Sequence, residues 1–342
     1  MKAIRIHNYG GPEVLQIDEI PEPTPTDNEV KINIKASGLN HLDIWIRSGA
    51  LGLPLPLPLI PGSDGAGIIT YVGKNVTRFK KGDHVFINAG SGCGKCDSCR
   101  IGQEALCTKF FILGEHGNGT HCEFICLPEH QVFSLAKNIP FTEGAAFPLV
   151  FMTSWHMLVA KGQLQKGQTV LILAGGSGIG MAGIQIAKVR GAKVITTVGS
   201  EEHRQKVLKL GADFVIDHYK EDIAKKVKEF TNGQGVAVVL EHVGEKVWQS
   251  CLKSLAKGGR LVTCGGTTGT DVSINLRHLF MKHQQILGST MGNPSDMEQV
   301  ATHINNGDFS PVIAQQLPYS QIAEGHQIIE KGGMFGKVVL TW

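Results

Sequence analysis

Four cysteines, Cys93, Cys96, Cys99 and Cys107, share one short glycine-rich segment with C-x2-C-x2-C-x7-C spacing. Four thiolates in one loop close a tetrahedral zinc site and leave no position for water, so such a metal braces structure and performs no chemistry. Two disulfides or an iron–sulfur cluster would also consume four thiols. Nothing in the chain indicates an oxidising compartment, and cluster runs end in Cys-Pro or space their ligands differently. Glycines at 90, 92, 94 and 102 let this backbone turn tightly around an ion. One structural zinc is therefore the favoured reading. Cys122, Cys126, Cys251 and Cys264 are scattered among strand residues and read as small buried side chains.

A second constellation is Gly175-Gly176-Ser177-Gly178-Ile179-Gly180, set between the apolar run TVLILA and the helical stretch MAGIQIAKVRGA. Such a turn brings backbone N–H groups against a pyrophosphate at the positive end of a helix. The G-x-G-x-x-G spacing is not strict, since Met181 stands where the third glycine would fall, but the position between a strand and a helix, with four more strand–helix units downstream, supplies the context. The next strand, KVITTV, ends at Val198, Gly199 and Ser200, with no carboxylate for the ribose hydroxyls of NAD. Ser200, His203 and Arg204 are candidates for holding a 2′-phosphate, so NADP is favoured. NAD remains possible should Glu201 turn inward.

These groups need two kinds of scaffold. Up to about Val132, short alternating runs (VKINIKASG, GAGIITYVG, GDHVFINAG, HCEFICLPE) are punctuated by Gly, Pro, Asn and Asp, which predicts a β-rich domain. From about Gly144, strands at 169–173, 193–197, 214–216, 236–240 and 260–264 alternate with helical stretches, which predicts a doubly wound parallel sheet. The final GKVVLTW reads as a strand returning to the first domain. The expected division is 1–143 with a zinc lobe near 90–108, then 144–288, then 289–342. The run LGLPLPLPLIPG at 51–62 reads as a stiff apolar loop beside a pocket in preference to a polyproline ligand.

The chain has 342 residues, 42% hydrophobic and 18% charged, which is enough for two packed domains. A net charge of +3 gives no argument for nucleic acid or a membrane. No apolar run approaches the ~20 residues of a membrane span, and the N-terminus lacks the apolar core of a signal peptide. A cytoplasmic enzyme acting on a small molecule is expected.

With KLGADFVID, KGGRLVTCGG and the terminal GKVVL added to these motifs, the chain resembles the medium-chain dehydrogenase/reductase superfamily, which includes zinc alcohol dehydrogenases and quinone oxidoreductases. The resemblance implies a GroES-like catalytic domain with an inserted Rossmann domain, a dimer or tetramer of identical chains, and a structural zinc on the four-cysteine lobe. It also implies that His41 lies near the cofactor pyrophosphate, Thr153 against the nicotinamide, and Gly265 and Gly266 where the chain passes that ring.

The zinc enzymes of this superfamily hold a catalytic zinc with a cysteine, a histidine and a second cysteine. Here Asn40, Ser63 and Leu149 stand at those positions, Asp64 replaces a neighbouring glutamate, and Leu42 replaces the relay hydroxyl. Asn, Ser and Leu cannot make a catalytic zinc site. Asn40 and Asp43 are similar to the Asn and Asp of quinone and enone reductases. Asn40, Asp43, Ser63 and Asp64 are thus the candidate catalytic residues. Asp43 as a buried structural partner, and Ser63 and Asp64 as turn residues, are open alternatives. His121, His156 and His242 read as ordinary histidines. The favoured activity is NADPH-dependent reduction of quinones, enones or enoyl thioesters. The alternatives are an alcohol or aldehyde dehydrogenase, and a cofactor-binding protein without turnover.

Overall fold

The computed structural model describes residues 1–52 and 54–342; Leu53, in the proline–leucine run, lies outside the described residues. The chain forms two compact units, Met1–Leu149 with Asn293–Trp342, and Val150–Gly292. No helix among the described residues is long and apolar enough to cross a membrane.

The first unit is organised by β1 (Glu29–Gly38). Its alternation is that of a strand with one face in a core: Val30, Ile32, Ile34 and Ala36 are buried, while Lys31, Asn33 and Lys35 between them are half-buried. After Gly38 the chain turns through Leu39 and Asn40 into α1 (His41–Ser48). An antiparallel β2 (Asp64–Val72) runs beside β1 with Asp64 opposite Gly38. The sheet continues on that side through β3 (His84–Ile87) directly to β5 (Val132–Ser134), while β4 (Phe124–Pro128) lies elsewhere. The first half of the other edge of β1 pairs with β4. Gly38 is required by close approach, because a Cβ there would stand 2.2 Å from the carbonyl oxygen of Ala145.

The second unit is a six-stranded, wholly parallel sheet. Along the chain it comprises β6 (Thr169–Ile172), α2 (Gly178–Val189), β7 (Lys193–Val198), α3 (Glu201–Lys209) and β8 (Phe214–Asp217). It continues with α4 (Ile223–Phe230), β9 (Val236–Glu241), α5 (Glu245–Ser254), β10 (Leu255–Thr263) and β11 (Gln285–Gly288). The strand order is β8-β7-β6-β9-β10-β11, reversing direction of growth after β6, which is the doubly wound arrangement. Its central strands are apolar on both faces because helices cover both sides; Val170, Leu171, Ile172, Val238, Val239 and Leu240 have no accessible surface.

The returning chain completes the first sheet with β12 (Ile313–Pro318), α6 (Ile322–Lys331) and β13 (Lys337–Thr341). β13 pairs with the last three residues of β1, Val339 lying opposite Gly38, and β12 pairs parallel outside it. Leu39, Ile44, Ile322, Ile329, Val338 and Leu340 share one core, so α1 and α6 are packed on the same sheet end.

The unit boundaries differ from 143/144 and 288/289 for identifiable reasons. Residues 144–149 stay with the first unit because they cross Gly38 and because the Leu149 N–H bonds Asp64 Oδ1 at 2.8 Å. Residues 289–292 stay with the second because Ser289 N–H extends the β11 pairing to Thr263 O at 2.9 Å. β10 begins at Leu255 and not at 260, with a register irregularity opposite Val236–Val238. In the proline–leucine run, Leu55, Leu57 and Leu59 pack against Ile6 and Ile46, as an apolar loop would. Cys122 and Cys251 are buried, but Cys126 and Cys264 are only partly so.

Candidate functional site

The end of β1, the start of α1, the start of β2 and the start of β13 meet at one point. Asn40 is the N-cap of α1 and is 7% exposed, whereas Asp43, Ser63 and Asp64 have no accessible surface. Asn40 Nδ2 donates to Asp64 Oδ2 at 2.9 Å. The ammonium of Lys337, only 3% exposed, donates to Asn40 Oδ1 at 2.5 Å and to Asp64 Oδ2 at 3.1 Å. Asp64 Oδ1 takes the Leu149 N–H, so both carboxylate oxygens are engaged. Lys337 was not among the residues singled out from sequence. The available signal was a lysine opening the buried run VVL, since an ammonium in such a place requires an anionic or carbonyl partner.

Behind this triad lies Asp43, the third residue of α1. Its carboxylate accepts the N–H groups of Asn40 at 2.8 Å and Gly62 at 3.1 Å, fixing the helix start and the turn before β2. Burial pushes Asp43 up to about 7; the two N–H groups and Lys337 pull the other way without offsetting it, and Asp64 adds repulsion. His121 Nε2 stands 3.9 Å from Asp43 Oδ2 and makes no hydrogen bond. Trp342 Nε1 donates to Ser37 Oγ at 2.9 Å, leaving Ser37 to donate to His121 Nδ1 at 3.0 Å, an assignment that puts the imidazole hydrogen on Nε2 facing Asp43. Burial holds His121 down to about 3, with His326 and Lys337 adding to the effect, and burial with Arg47 holds His326 down to about 3. Ser63 Oγ donates to Leu113 O at 2.9 Å. Of the four candidate catalytic residues, Asn40 alone keeps any surface; Asp43 and Asp64 hold it from behind, and Ser63 is tied to Leu113 instead. Leu42 packs against the Ile6–Ile46–Leu59 cluster, and the exposed His41 lies with its ring 6.3 Å from that of Trp45.

In the second unit the glycine loop turns from β6 into the N-terminus of α2. Ser177 caps α2, its Oγ accepting the Gly180 N–H at 2.9 Å, and Gly175 N–H is held by Thr197 O at 2.8 Å. Gly175, Gly176, Gly178 and Ile179 surround that N-terminus. Gly180 plays the part of the packing glycine that the strict spacing would put at Met181, since a Cβ on it would stand 2.2 Å from Ala174 O. Ala174 itself takes a left-handed φ of 46°, its N–H held by Thr197 Oγ1 at 2.9 Å. His242 lies here too, Nε2 at 3.1 Å from Leu173 O and 3.3 Å from Ser177 Oγ. Gly265 and Gly266 follow β10 in a loop beside His242. The free N–H groups of a capped helix and the buried, unpartnered hydroxyl of Thr153 fit a dinucleotide, which would supply hydride.

The ribose end corrects one expectation. Arg204 Nη1 donates to Val215 O at 2.6 Å, Nη2 faces Glu221 at 3.4 Å and Nε faces Glu201 at 3.3 Å. Its charge is spent stapling α3 to β8, not offered to a phosphate. Glu201 is turned along the helix toward Arg204 and Gln205. Ser200 Oγ is the N-cap of α3, accepting the His203 N–H at 3.2 Å. Tyr219, mostly exposed and with its ring tilted 58° against that of His218, covers Gly199, where a Cβ would stand 2.6 Å from its ring; neither was expected from sequence.

The four cysteines do come together. Their Sγ atoms all lie within 4.8 Å of one another, bracketing the roughly 3.8 Å edge of a tetrahedron with 2.3 Å zinc–sulfur bonds. Among the described residues this is the one group of three or more His, Cys, Asp or Glu so placed. N–H groups of Lys95 and Cys96 lower Cys93 to about 6, while burial and the neighbouring thiols raise Cys99 to about 12. Four thiols this close cannot all ionise without a cation among them, so the donor set fits zinc. The Ala105 N–H bonds Asn293 Oδ1 at 3.0 Å and ties the lobe to the returning chain.

Two outcomes follow. Elemental analysis should find one zinc per chain, and Cys96→Ser should lose it with a larger fall in Tm than in turnover per folded molecule; two zinc ions, both retained by the variant, would refute the assignment. The buried titratable groups also set a pH dependence. Raised from 3.8 to about 7, Asp43 contributes stability that is present below about pH 4 and is lost as pH rises from there to about 7. His121 and His326, lowered to about 3, contribute stability that is present above their ordinary range and lost as pH falls. Each slope is about 1.4 kcal/mol per pH unit, and between roughly pH 4 and 6 the two histidines outweigh the one carboxyl. Asp43→Asn removes the opposing slope, so urea denaturation across this range should show stability climbing more steeply in the variant. Parallel curves would mean that Asp43 is not a raised acid.

Known proteins bear on this geometry. Residues 178–306 match the zinc-binding dehydrogenase family, and residues 26–137 match the alcohol dehydrogenase GroES-like domain. Human quinone oxidoreductase is 31% identical over 348 residues, covering 99% of this chain and 97% of that protein. An NAD-dependent alcohol dehydrogenase of Sulfurisphaera tokodaii is 30% identical, with 100% of each chain covered. A solved structure of an NAD-dependent alcohol dehydrogenase is 41% identical, again over 100% of both chains, with a TM-score of 0.97. Sequence, fold and site thus agree that the chain belongs to the medium-chain dehydrogenase/reductase superfamily and is an oxidoreductase of that type.

Proposed function

We propose that the protein reduces electron-poor double bonds, as in quinones, enones or enoyl thioesters, by direct hydride transfer without a catalytic metal. The observation that carries this is the Asn40–Asp64–Lys337 triad. Where the superfamily's zinc enzymes place metal ligands, this chain has Asn40, Ser63 and Leu149, and Asn40 Oδ1 and Asp64 Oδ2 are both engaged by an ammonium. Alkoxide formation from a simple alcohol near neutral pH needs a Lewis acid. Hydride addition to a conjugated acceptor instead places charge on an oxygen that hydrogen-bond donors can hold. Asn40, at the helix N-terminus and with Nδ2 hydrogens available, is the donor proposed for that oxygen. Asp43, Ser63 and Asp64 serve by fixing Asn40, the helix start and the turn before β2.

We further propose NADP(H) as the cofactor. Support comes from Val198-Gly199-Ser200, which carries no carboxylate, and from Glu201, whose carboxylate is occupied by Arg204 and Gln205. The protein is proposed to work as a homodimer or homotetramer in the cytoplasm.

NADPH consumption with 1,4-benzoquinone, a cyclic enone and an enoyl-CoA should greatly exceed oxidation of ethanol or benzyl alcohol. Asn40→Ala should lower the reduction rate by about 10²–10³ while sparing cofactor affinity. Vigorous, chelator-sensitive alcohol oxidation would overturn the proposal. In titrations, NADPH should bind more tightly than NADH. Arg204→Ala should weaken both cofactors equally or not at all, its cost falling on stability; a selective loss of NADPH would restore Arg204 as the phosphate reader.

A further inference from the structure

The Asn40 carboxamide has one hydrogen-bond orientation open to it. Lys337 is a donor only, and the Asp64 carboxylate facing it accepts, so Oδ1 must point to the ammonium and Nδ2 to the carboxylate. A flipped amide would set NH2 against NH3⁺ and a carbonyl against a carboxylate. One Nδ2 hydrogen is thereby consumed by Asp64, and among the described residues nothing is recorded as taking the other. Lys337 and Asp64 are 3% and 0% exposed, so water screens neither charge. A cation on the carbonyl oxygen draws amide electron density toward it and makes the remaining N–H a stronger donor.

We infer that Lys337 is a positioning residue for the reduction, locking and polarising the Asn40 amide so that its second Nδ2 hydrogen meets the substrate oxygen. This rests on the function proposed above. The alternative is a counter-ion for Asp64 that holds the sheet end together and does nothing for the chemistry. The two differ in what they predict once folding is accounted for, because an effect exerted through Asn40 vanishes when Asn40 is removed.

The test compares Lys337→Met, Lys337→Arg, Asn40→Ala and the Lys337→Met/Asn40→Ala pair in the full chain, with Tm recorded for each. Expected is a fall in kcat of about 10–100-fold for Lys337→Met, with KM and NADPH affinity within about threefold, in the range lost when one oxyanion donor is disabled. Lys337→Arg, which keeps the cation, should recover much of the rate. The double variant should be no slower than Asn40→Ala. Unchanged kcat per folded molecule, or losses that multiply in the double variant, would overturn the inference. Should Lys337→Met fail to fold, Lys337→Gln, which removes the charge but keeps a donor, carries the same comparison with Asn40→Ala.

A probe that requires no turnover separates this inference from the functional proposal. Binding of p-nitrophenolate to the NADP⁺ complex, read from the shift of its visible band, should weaken in Lys337→Met and at least as much in Asn40→Ala, with no further loss in the double variant. That result supports the positioning role even if none of the three substrates is reduced, in which case only the proposed substrate class falls. Equal binding by all variants and the unmodified protein would overturn the inference whatever the substrates show.

Discussion

A lysine ammonium with almost no contact with water is the constraint around which the first unit is arranged. Desolvating such an ion costs several kcal/mol, and Lys337, near the end of the chain, recovers it through two oxygens from residues near its start. Those contacts require β13 to lie against the last residues of β1 while β2 starts on the other side, and the observed registers, Val339 and Asp64 each opposite Gly38, provide this. The closing strand therefore belongs to the site as much as to the sheet. Its removal would leave Asp64 buried without its cation.

The fold was largely legible because its determinants are local. Alternation in VKINIKASG and GAGIITYVG marks strands with one buried face, and the strand–helix cadence after residue 169 specifies a parallel sheet. Four cysteines in one loop meet because the segment is too short to keep them apart. The candidate site was legible in parts only. Asn40, Asp43 and Asp64 stand close in sequence to turns that place them, but Lys337 lies 297 residues from its partner Asn40. Nothing local distinguishes it from a surface lysine except the apolar run that it opens. Arg204 failed for the opposite reason: its neighbourhood in sequence suggests a phosphate, but its role is fixed by Val215 and Glu221 across a turn.

The two cation sites solve different problems. Around the four cysteines, mutual repulsion of thiolates makes the ion part of the folded structure, and the glycine-rich chain bends to suit it. Around Lys337 the cation is covalently part of the sheet, so its position is set by backbone register and cannot adjust to a ligand. The cysteine site is closed because all four of its positions are protein sulfur. The lysine site is closed in the same practical sense, since two of its contacts are already to Asn40 and Asp64.

That rigidity bears on the chemistry. A metal ion can accept a new oxygen ligand, promote its deprotonation and release it, which is what alcohol oxidation asks. An ammonium held by Asp64 and Asn40 has no such freedom; it can only lend its charge through the groups that it touches. Asn40 retains the most surface of the cluster, and it also caps α1, so the amide and the helix dipole share one origin. Such an arrangement stabilises an oxygen that gains charge in place without exchanging ligands. Asp43 reinforces this by holding the Asn40 and Gly62 N–H groups, and its tendency to stay protonated near neutrality keeps a second negative charge away from that oxygen. In the function proposed above, a buried lysine beside Asn40 and Asp64 would do what no exchangeable ligand does: it would fix a donor instead of binding and activating an oxygen.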